Sequence, residues 1–366
     1  MSSDIAMFDA AALHQPLLAE LDAAMATVLR HGRFIQGPEV NELEERLADY
    51  VGLPYCITCA SGTTALVMAL MALGVGPGDE VILPALTFAA PIEAVLLLGA
   101  MPVLADIEPG THTLSTPAVD AVISTRTRAV IAVSLYGQPA DFTGLSALAR
   151  EHGIALIEDG AQSFGGELDG VRSGAFGDVS CTSFFPSKPL GGCGDGGALF
   201  TRHEPTAIAL RQIRDHGQSG KYQHVRLGFN GRLDTLACAA LLVKLRHFPV
   251  HLQRRRALAT RYDRGLAAFE IPVLRAGAVS AYAQYCIQLD DRGAVHDFLA
   301  QAGIATAVHY PSTLDQQSAF RPRLRMPAPI AHAQRLARRG LCLPLHAAMT
   351  EAQQDRVIEA LARAPG

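Results

Sequence analysis

Two short runs decide how this chain folds: Ala155-Leu156-Ile157-Glu158 and Val179-Ser180-Cys181-Thr182-Ser183-Phe184. Each is largely apolar or small, and glycine or proline stands close to both its ends. That is how a strand buried on both faces reads. Tyr55–Cys59, Glu80–Leu83, Pro102–Asp106, Ala129–Leu135 and Gly197–Phe200 read the same way. Between them, helical spacing appears over Glu39–Tyr50, Ala65–Leu73, Phe88–Leu98 and Phe142–His152. Pro91 stands near the start of its helix, where a missing N–H is tolerated. Strands alternating with helices predict an α/β domain whose mainly parallel sheet is covered on both faces.

The character changes near Leu245–Pro249. Beyond it the pattern predicts a long arginine-rich helix over Leu252–Phe269, a strand over Ala283–Leu289 and a helix over Val295–Ala302. A strand over Ile304–Tyr310 and a final helix over Glu351–Ala362 complete a smaller C-terminal α/β domain. Pro311–Ile330, rich in Pro, Arg and Ser, reads as an irregular loop. The expected division is 1–247 for a large domain with an N-terminal helical segment, and 248–366 for the small one.

Composition sets limits. The 366 residues are 49% hydrophobic and 18% charged, which suits a globular chain of two domains. The formal net charge is −4, with no long run of Lys and Arg, which argues against a nucleic-acid or anionic-membrane partner. The start M-S-S-D carries no basic region followed by an apolar core, and no apolar run has membrane-spanning length. Seven cysteines in a chain this long are not a disulfide scaffold, so a cytoplasmic protein with reduced thiols is expected. Cys56 and Cys59 form a lone C-x-x-C. It is either a redox pair, half of a zinc site, or two small residues of a buried strand. No second pair completes a four-ligand set, so no metal is expected.

Four features carry chemistry. Ser183-Phe184-Phe185-Pro186-Ser187-Lys188-Pro189-Leu190-Gly191 sets a lysine among apolar and small residues before a glycine-rich loop. Desolvation lowers an amine's pKa and makes it a nucleophile and Schiff-base former, although a surface lysine beside a turn reads alike. Asp159 closes a buried strand, where ligands bind in open parallel sheets. A carboxylate there pairs with a protonated pyridine nitrogen, or simply caps a helix. Ala60-Ser61-Gly62-Thr63-Thr64, between strand and helix, offers a phosphate the first N–H groups of a helix, or is an ordinary N-cap. Phe88 starts a helix after a strand, and either stacks on a flat ring or fills the core.

In their order these motifs resemble the DegT/DnrJ/EryC1/StrS sugar aminotransferases, which have the pyridoxal-phosphate-dependent fold type I. Gly37-Pro38-Glu39-Val40, the G-V-G-P-G-D-E-V string at Gly74–Val81 and Ser134-Leu135-Tyr136-Gly137-Gln138 belong to the match. So do Asp215-His216-Gly217-Gln218, Gly228-Phe229-Asn230-Gly231-Arg232-Leu233-Asp234 and Val308-His309-Tyr310-Pro311. The resemblance implies pyridoxal 5'-phosphate as cofactor, with Lys188 as the lysine that carries it. Asp159 is then the partner of the pyridine nitrogen, Gln162 a contact to the ring hydroxyl and Phe88 the stacking residue. Gly62, Thr63 and Ser183 become phosphate ligands. Asn230 reaches the phosphate in the neighbouring subunit, which implies a homodimer with shared active sites.

His309 and Tyr310 match positions that line a nucleotide-sugar pocket. T-S-F-F-P-S-K-P-L-G, I-E-D-G-A-Q-S-F-G and Ala281-Tyr282-Ala283-Gln284-Tyr285 look like members that aminate carbon 3 of UDP-2-acetamido-2-deoxy-3-oxo-glucuronate for O-antigen polysaccharides, with L-glutamate as donor. A uronate needs a cation, for which Arg232 is the candidate; the other reading of Arg232 is an ion pair with Asp234. Gly160 and Gly231 stand where alanine and serine are usual, which predicts slightly looser geometry. The alternatives are another keto sugar (4-oxo or dTDP-linked), a sugar dehydratase on the same fold, and a non-catalytic regulatory protein. Known dehydratases of this kind often carry histidine in place of the lysine.

Overall fold

The structure is a computed structural model and describes residues 4–365. Its centre is a seven-stranded sheet of β1 (Tyr55–Cys59), β2 (Glu80–Pro84), β3 (Met101–Ala105), β4 (Thr127–Val133), β5 (Ala155–Asp159), β6 (Val179–Ser183) and β7 (Gly197–Thr201). The spatial order is β1-β7-β6-β5-β4-β2-β3. Only β7 runs against its neighbours; the other six point the same way. The expected α/β class and mainly parallel sheet are what the chain forms.

Strand alternation sends successive residues to opposite faces. Ile57, Val81, Leu83, Ile131, Ile157, Val179 and Leu199 face one cluster, with the helices Gly62–Ala72, Ala90–Leu97 and Glu204–Arg214. Cys56, Ile82, Val130, Leu156 and Phe200 face the other side, under Pro38–Val51, Phe142–His152 and a long helix. Cover on both faces is why the strands read as continuous apolar runs rather than alternating ones. Cys56 and Cys59 therefore enter two different clusters on opposite faces and cannot share a ligand; burial pushes the Cys59 thiol up to about 12.

The long helix corrects the sequence reading. It is one helix, Thr235–Gly265, running through Pro249 rather than starting after it. Pro249 itself is exposed, so its ring sits on the solvent side of the helix. The helix's first half buries Cys238, Leu241 and Phe248 against the sheet, and its second half buries Leu258 and Tyr262 in a smaller cluster. The division at 247/248 falls in mid-helix, and we propose to keep it there as the approximate boundary, although Phe248 and Leu252 still pack on the large part. The smaller part pairs β8 (Tyr285–Gln288) with β9 (Gly340–Leu343), antiparallel, under Arg292–Gln301, Ala331–Arg339 and Glu351–Leu361. Ile5 joins this cluster, and Leu18–His31 then packs on the long helix.

One more expectation changes. Ile304–Tyr310 is not a strand: Ile304 bridges Ile5, whereas Ala307 bridges Cys342. Changing partners within three residues leaves no continuous ladder. The strand that does pair with β8 is β9, which the sequence reading passed over. Pro311–Ile330 is irregular as expected, with two short turns. Its end is tied to the sheet, since Arg325 exchanges backbone bonds with Pro102 and Leu104 (2.9 and 2.8 Å) and so covers the open edge of β3.

Two buried charge sites hold the sheet's surroundings. Arg214, at the end of its helix, pairs with Glu44 and bonds the Thr58 carbonyl (3.0 Å), while Glu44 accepts the Thr58 N–H and hydroxyl (both 2.9 Å). Arg214→Ala leaves Glu44 nearly buried and unpaired, and should cost about 3–5 kcal/mol in denaturant unfolding.

Glu158, fully buried on the face opposite Asp159, is in none of the ion pairs among the described residues. The Ser173 hydroxyl bonds Oε1 (2.6 Å); the Gly174 and Phe176 N–H groups and the Ser180 hydroxyl bond Oε2 (2.9, 3.3 and 2.8 Å). Burial outweighs these donors and pushes its pKa from 4.5 up to about 7. The folded protein thus keeps the proton that the unfolded chain loses near 4.5. Its contribution to stability is fully present below that value and lost as pH rises to about 7. Glu158→Gln should flatten the dependence of the unfolding midpoint on pH across that window.

Candidate active site

One cavity of about 560 Å³ lies where β5 and β6 end and the helix Gly62–Ala72 begins. Its position follows from alternation. Asp159 points to the same face as Ile157, towards that helix, and Ser183 to the same face as Cys181. The helix start fits closely against the strand ends. A Cβ on Gly62 would stand 2.8 Å from Ser183 Cβ, and one on Gly197 would stand 2.6 Å from the Ser61 backbone. Glycine at both positions lets the helix N-terminus reach the sheet. Ser61 Oγ accepts the Thr64 N–H (3.0 Å), so Ser61 is the N-cap. The N–H groups of Gly62 and Thr63 precede it at the positive end of the helix, and both residues line the cavity.

Lys188 enters from the loop after β6. Phe184 bonds Gly196 at the loop's base (2.8 Å), Lys188 N–H bonds the Phe185 carbonyl (2.8 Å), and Gly192 N–H bonds the Phe184 carbonyl (2.6 Å). A Cβ on Gly191 would collide with the Pro186 carbonyl at 2.1 Å, which explains the glycine after Pro189-Leu190. Desolvation lowers the Lys188 pKa, and the Asp159 charge acts against it. Burial raises Asp159, and the Ala161 N–H (3.1 Å) and Lys188 pull it back. Asp159 takes part in none of the ion pairs among the described residues and caps no helix. It is a buried acid facing an open cavity that a ligand cation would stabilise.

The remaining expected residues divide into two groups. Gln162, His309, Tyr310 and Phe88 line the cavity with Lys188 and Asp159. Phe88 is 53% exposed rather than in the core, with its ring 5.9 Å from that of Tyr310. Gln162 accepts the Tyr136 N–H (2.8 Å) and donates to Tyr310 Oη (3.4 Å). His309 is lowered by burial and then by Lys188. Asn230 and Arg232 do not line this cavity. Asn230 is exposed, bridged to Asp215. Arg232 is ion-paired with Asp215, not with Asp234, whose carboxylate caps the long helix at Ala237 N–H (2.8 Å).

The sequence reading missed two polar groups. Thr87, 3% exposed, and Gln284 both line the cavity, and Thr87 Oγ1 and Gln284 Oε1 are buried without a hydrogen-bond partner among the described residues. Neither had a local signal: Thr87 reads as a turn residue and Gln284 as a strand position. Nor is the geometry loosened at the two unusual glycines. A Cβ on Gly160 would stand 2.9 Å from Ser173 Oγ and 3.2 Å from Glu158 Oε1; one on Gly231 would stand 3.0 Å from the Phe229 ring. The hydroxyl that bonds Glu158 already fills the space an alanine methyl needs.

Residues 17–362 match the DegT/DnrJ/EryC1/StrS aminotransferase family. The chain is 49% identical over 330 residues to the UDP-2-acetamido-2-deoxy-3-oxo-D-glucuronate aminotransferase of Pseudomonas aeruginosa, covering 89% of this chain and 91% of that one. It is 39% identical over 361 residues to the UDP-N-acetyl-3-dehydro-alpha-D-glucosamine 3-aminotransferase of Acidithiobacillus ferrooxidans, covering 98% and 97%. The crystal structure of a DegT DnrJ EryC1 StrS aminotransferase from Brucella abortus superposes with a TM-score of 0.96 at 38% identity, over 98% of this chain and 99% of that one. The architecture is the α/β fold of pyridoxal-phosphate-dependent sugar aminotransferases. The chain belongs to the DegT/DnrJ/EryC1/StrS aminotransferase family, whose cofactor is pyridoxal phosphate.

Proposed function

We propose that this aminotransferase moves the amino group of L-glutamate to UDP-2-acetamido-2-deoxy-3-oxo-glucuronate, giving the 3-amino uronate, as a cytoplasmic homodimer. One observation carries the class: a desolvated Lys188 and a buried Asp159 face each other's charge in one cavity that also holds a helix N-terminus. Those features suit the cofactor. A phosphate fits the N–H groups of Gly62 and Thr63 and the hydroxyl of Ser183. A pyridinium nitrogen supplies the cation that Asp159 lacks, and the exposed Phe88 face suits a flat ring. When bound, pyridoxal phosphate supplies an electron sink for the carbon that loses its proton.

The chain's own residues then do the rest. Desolvation disfavours the protonated form of Lys188, which suits Nζ to take the α-proton of glutamate and later return a proton to carbon 3 of the sugar. Asp159 stays ionised against the ring nitrogen. Gln162 presents its N–H end to the ring oxygen, because its carbonyl end is occupied by the Tyr136 N–H.

The names of the two relatives support amination at carbon 3, and the more similar of them acts on the uronate. A dimer suits Asn230 and Arg232, which lie outside their own chain's cavity. Tyr222, Val225 and Leu227, on the same segment, are 80%, 59% and 86% exposed, and a second copy would bury them. Arg232, brought to the neighbouring cavity, is the cation for the sugar carboxylate. All seven cysteines are free, which fits the cytoplasm, and no helix of the described residues is long and apolar enough to cross a membrane.

Borohydride reduction of the cofactor-loaded protein should place the label on the peptide containing Lys188. A label elsewhere overturns the assignment. Lys188→Ala should lose the label and reduce turnover by about 10²- to 10⁴-fold or more.

The substrate is tested in reverse. UDP-2-acetamido-3-amino-glucuronate should convert the cofactor's absorbance in the loaded protein. The same 3-amino sugar without the carboxylate, and a UDP-4-amino sugar, should convert it far more slowly. Preference for the uncharged 3-amino sugar rejects the uronate, and preference for the 4-amino sugar rejects carbon 3.

A further inference from the structure

Three residues lining the cavity are bonded to one residue that does not line it. Tyr136 follows β4 in a backbone turn with φ +60°, a conformation few non-glycine residues adopt. Its N–H donates to Gln162 Oε1 (2.8 Å), and its carbonyl accepts the Gln284 N–H (3.3 Å). Its hydroxyl donates to the carbonyl of His309. The ring is buried, 7% exposed, edge-on to His112 with centroids 5.9 Å apart.

These contacts join the two parts of the molecule. Gln162 belongs to the segment after β5, on the cofactor side. Gln284 immediately precedes β8, and His309 follows the Ala307–Cys342 bridge, both in the small part. The next residue strengthens the same junction. Gly137 accepts the Ala281 N–H (2.8 Å), and a Cβ at that position, where φ is +116°, would stand 2.5 Å from the Tyr282 nitrogen. The turn therefore brings the backbone of 136–137 directly onto that of 281–284. A buried tyrosine placed only to fill space would need one partner for its hydroxyl. Tyr136 instead uses all three of its polar groups on cavity residues.

We propose that Tyr136 is a positioning residue for the sugar half of the reaction. Its N–H fixes which end of the Gln162 amide faces the cavity, and its hydroxyl seats His309 and Tyr310 against that amide. This rests on the functional reading above, with His309 and Tyr310, which line the cavity beside Lys188, taken as the residues that meet the nucleotide sugar.

Tyr136→Phe keeps the ring and removes only the hydroxyl, leaving a carbonyl without its donor. The two half-reactions are measured separately in cofactor-loaded protein, with glutamate and with the UDP-amino sugar that the wild-type protein converts fastest. The expected result is a rise in the sugar KM, relative to the glutamate KM, of roughly three- to tenfold, with Lys188 still labelled by borohydride. Equal changes in both KM values, or none, overturn the proposal, since a merely structural tyrosine would move both alike. If the phenylalanine variant does not fold, Tyr136→Leu is held to the same ratio. A wild-type protein that converts no UDP-amino sugar rejects the functional reading itself, and is told apart from failure of this inference by the wild-type control alone.

Discussion

An amine and a carboxylate share a cavity from which much of the water is excluded, and the site is arranged around that constraint. Burial alone would neutralise both, lowering Lys188 and raising Asp159. Each charge partly supports the other and opposes the effect of burial. A lowered amine pKa favours the neutral form that acts as nucleophile and base. A fully solvated lysine would stay protonated, and a tight ion pair would stay locked.

The sheet supplies the geometry for this pair. β5 ends in two adjacent acids, and alternation sends them to opposite faces. Asp159 faces the cavity and is left short of a cation. Glu158 faces the packed side, where serines and backbone N–H groups bond it. The same chemistry therefore has two outcomes, one a binding group and one a support. Gly160 belongs to this arrangement, because Ser173 occupies the space that a side chain there would need. The sheet's near-uniform direction places Asp159 and Ser183 at the same edge, and a helix N-terminus completes the cavity from the third side.

Much of this was legible in the chain. The seven central strands were visible as short apolar runs bounded by Gly and Pro, because burial on both faces leaves a continuous signal. Lys188, Asp159 and the Ser61-Gly62-Thr63 turn were visible because each combines an unusual residue type with the end of such a run. The elements misread share one property: their partners are far away in sequence. Ile304–Tyr310 has strand-like composition, yet its neighbours are Ile5 and Cys342. β9 is a four-residue run after Arg338-Arg339 that becomes a strand only beside β8. Pro249 suggested a break, but packing on two clusters carries the helix through it.

What the sequence by itself determined is the class of fold and the chemical groups, because residue type and short-range period are local properties. It also held the glycines at 62, 191 and 197 that the close contacts require. What only the tertiary structure decided is who meets whom. It paired Arg232 with Asp215 rather than Asp234, left Thr87 and Gln284 with buried unpaired oxygens, and made Tyr136 the bond between the two parts. Such pairings depend on distances between segments that only the fold brings together, from 17 residues apart for Arg232 and Asp215 to 173 for Tyr136 and His309. Packing sets those distances, and no local pattern encodes them.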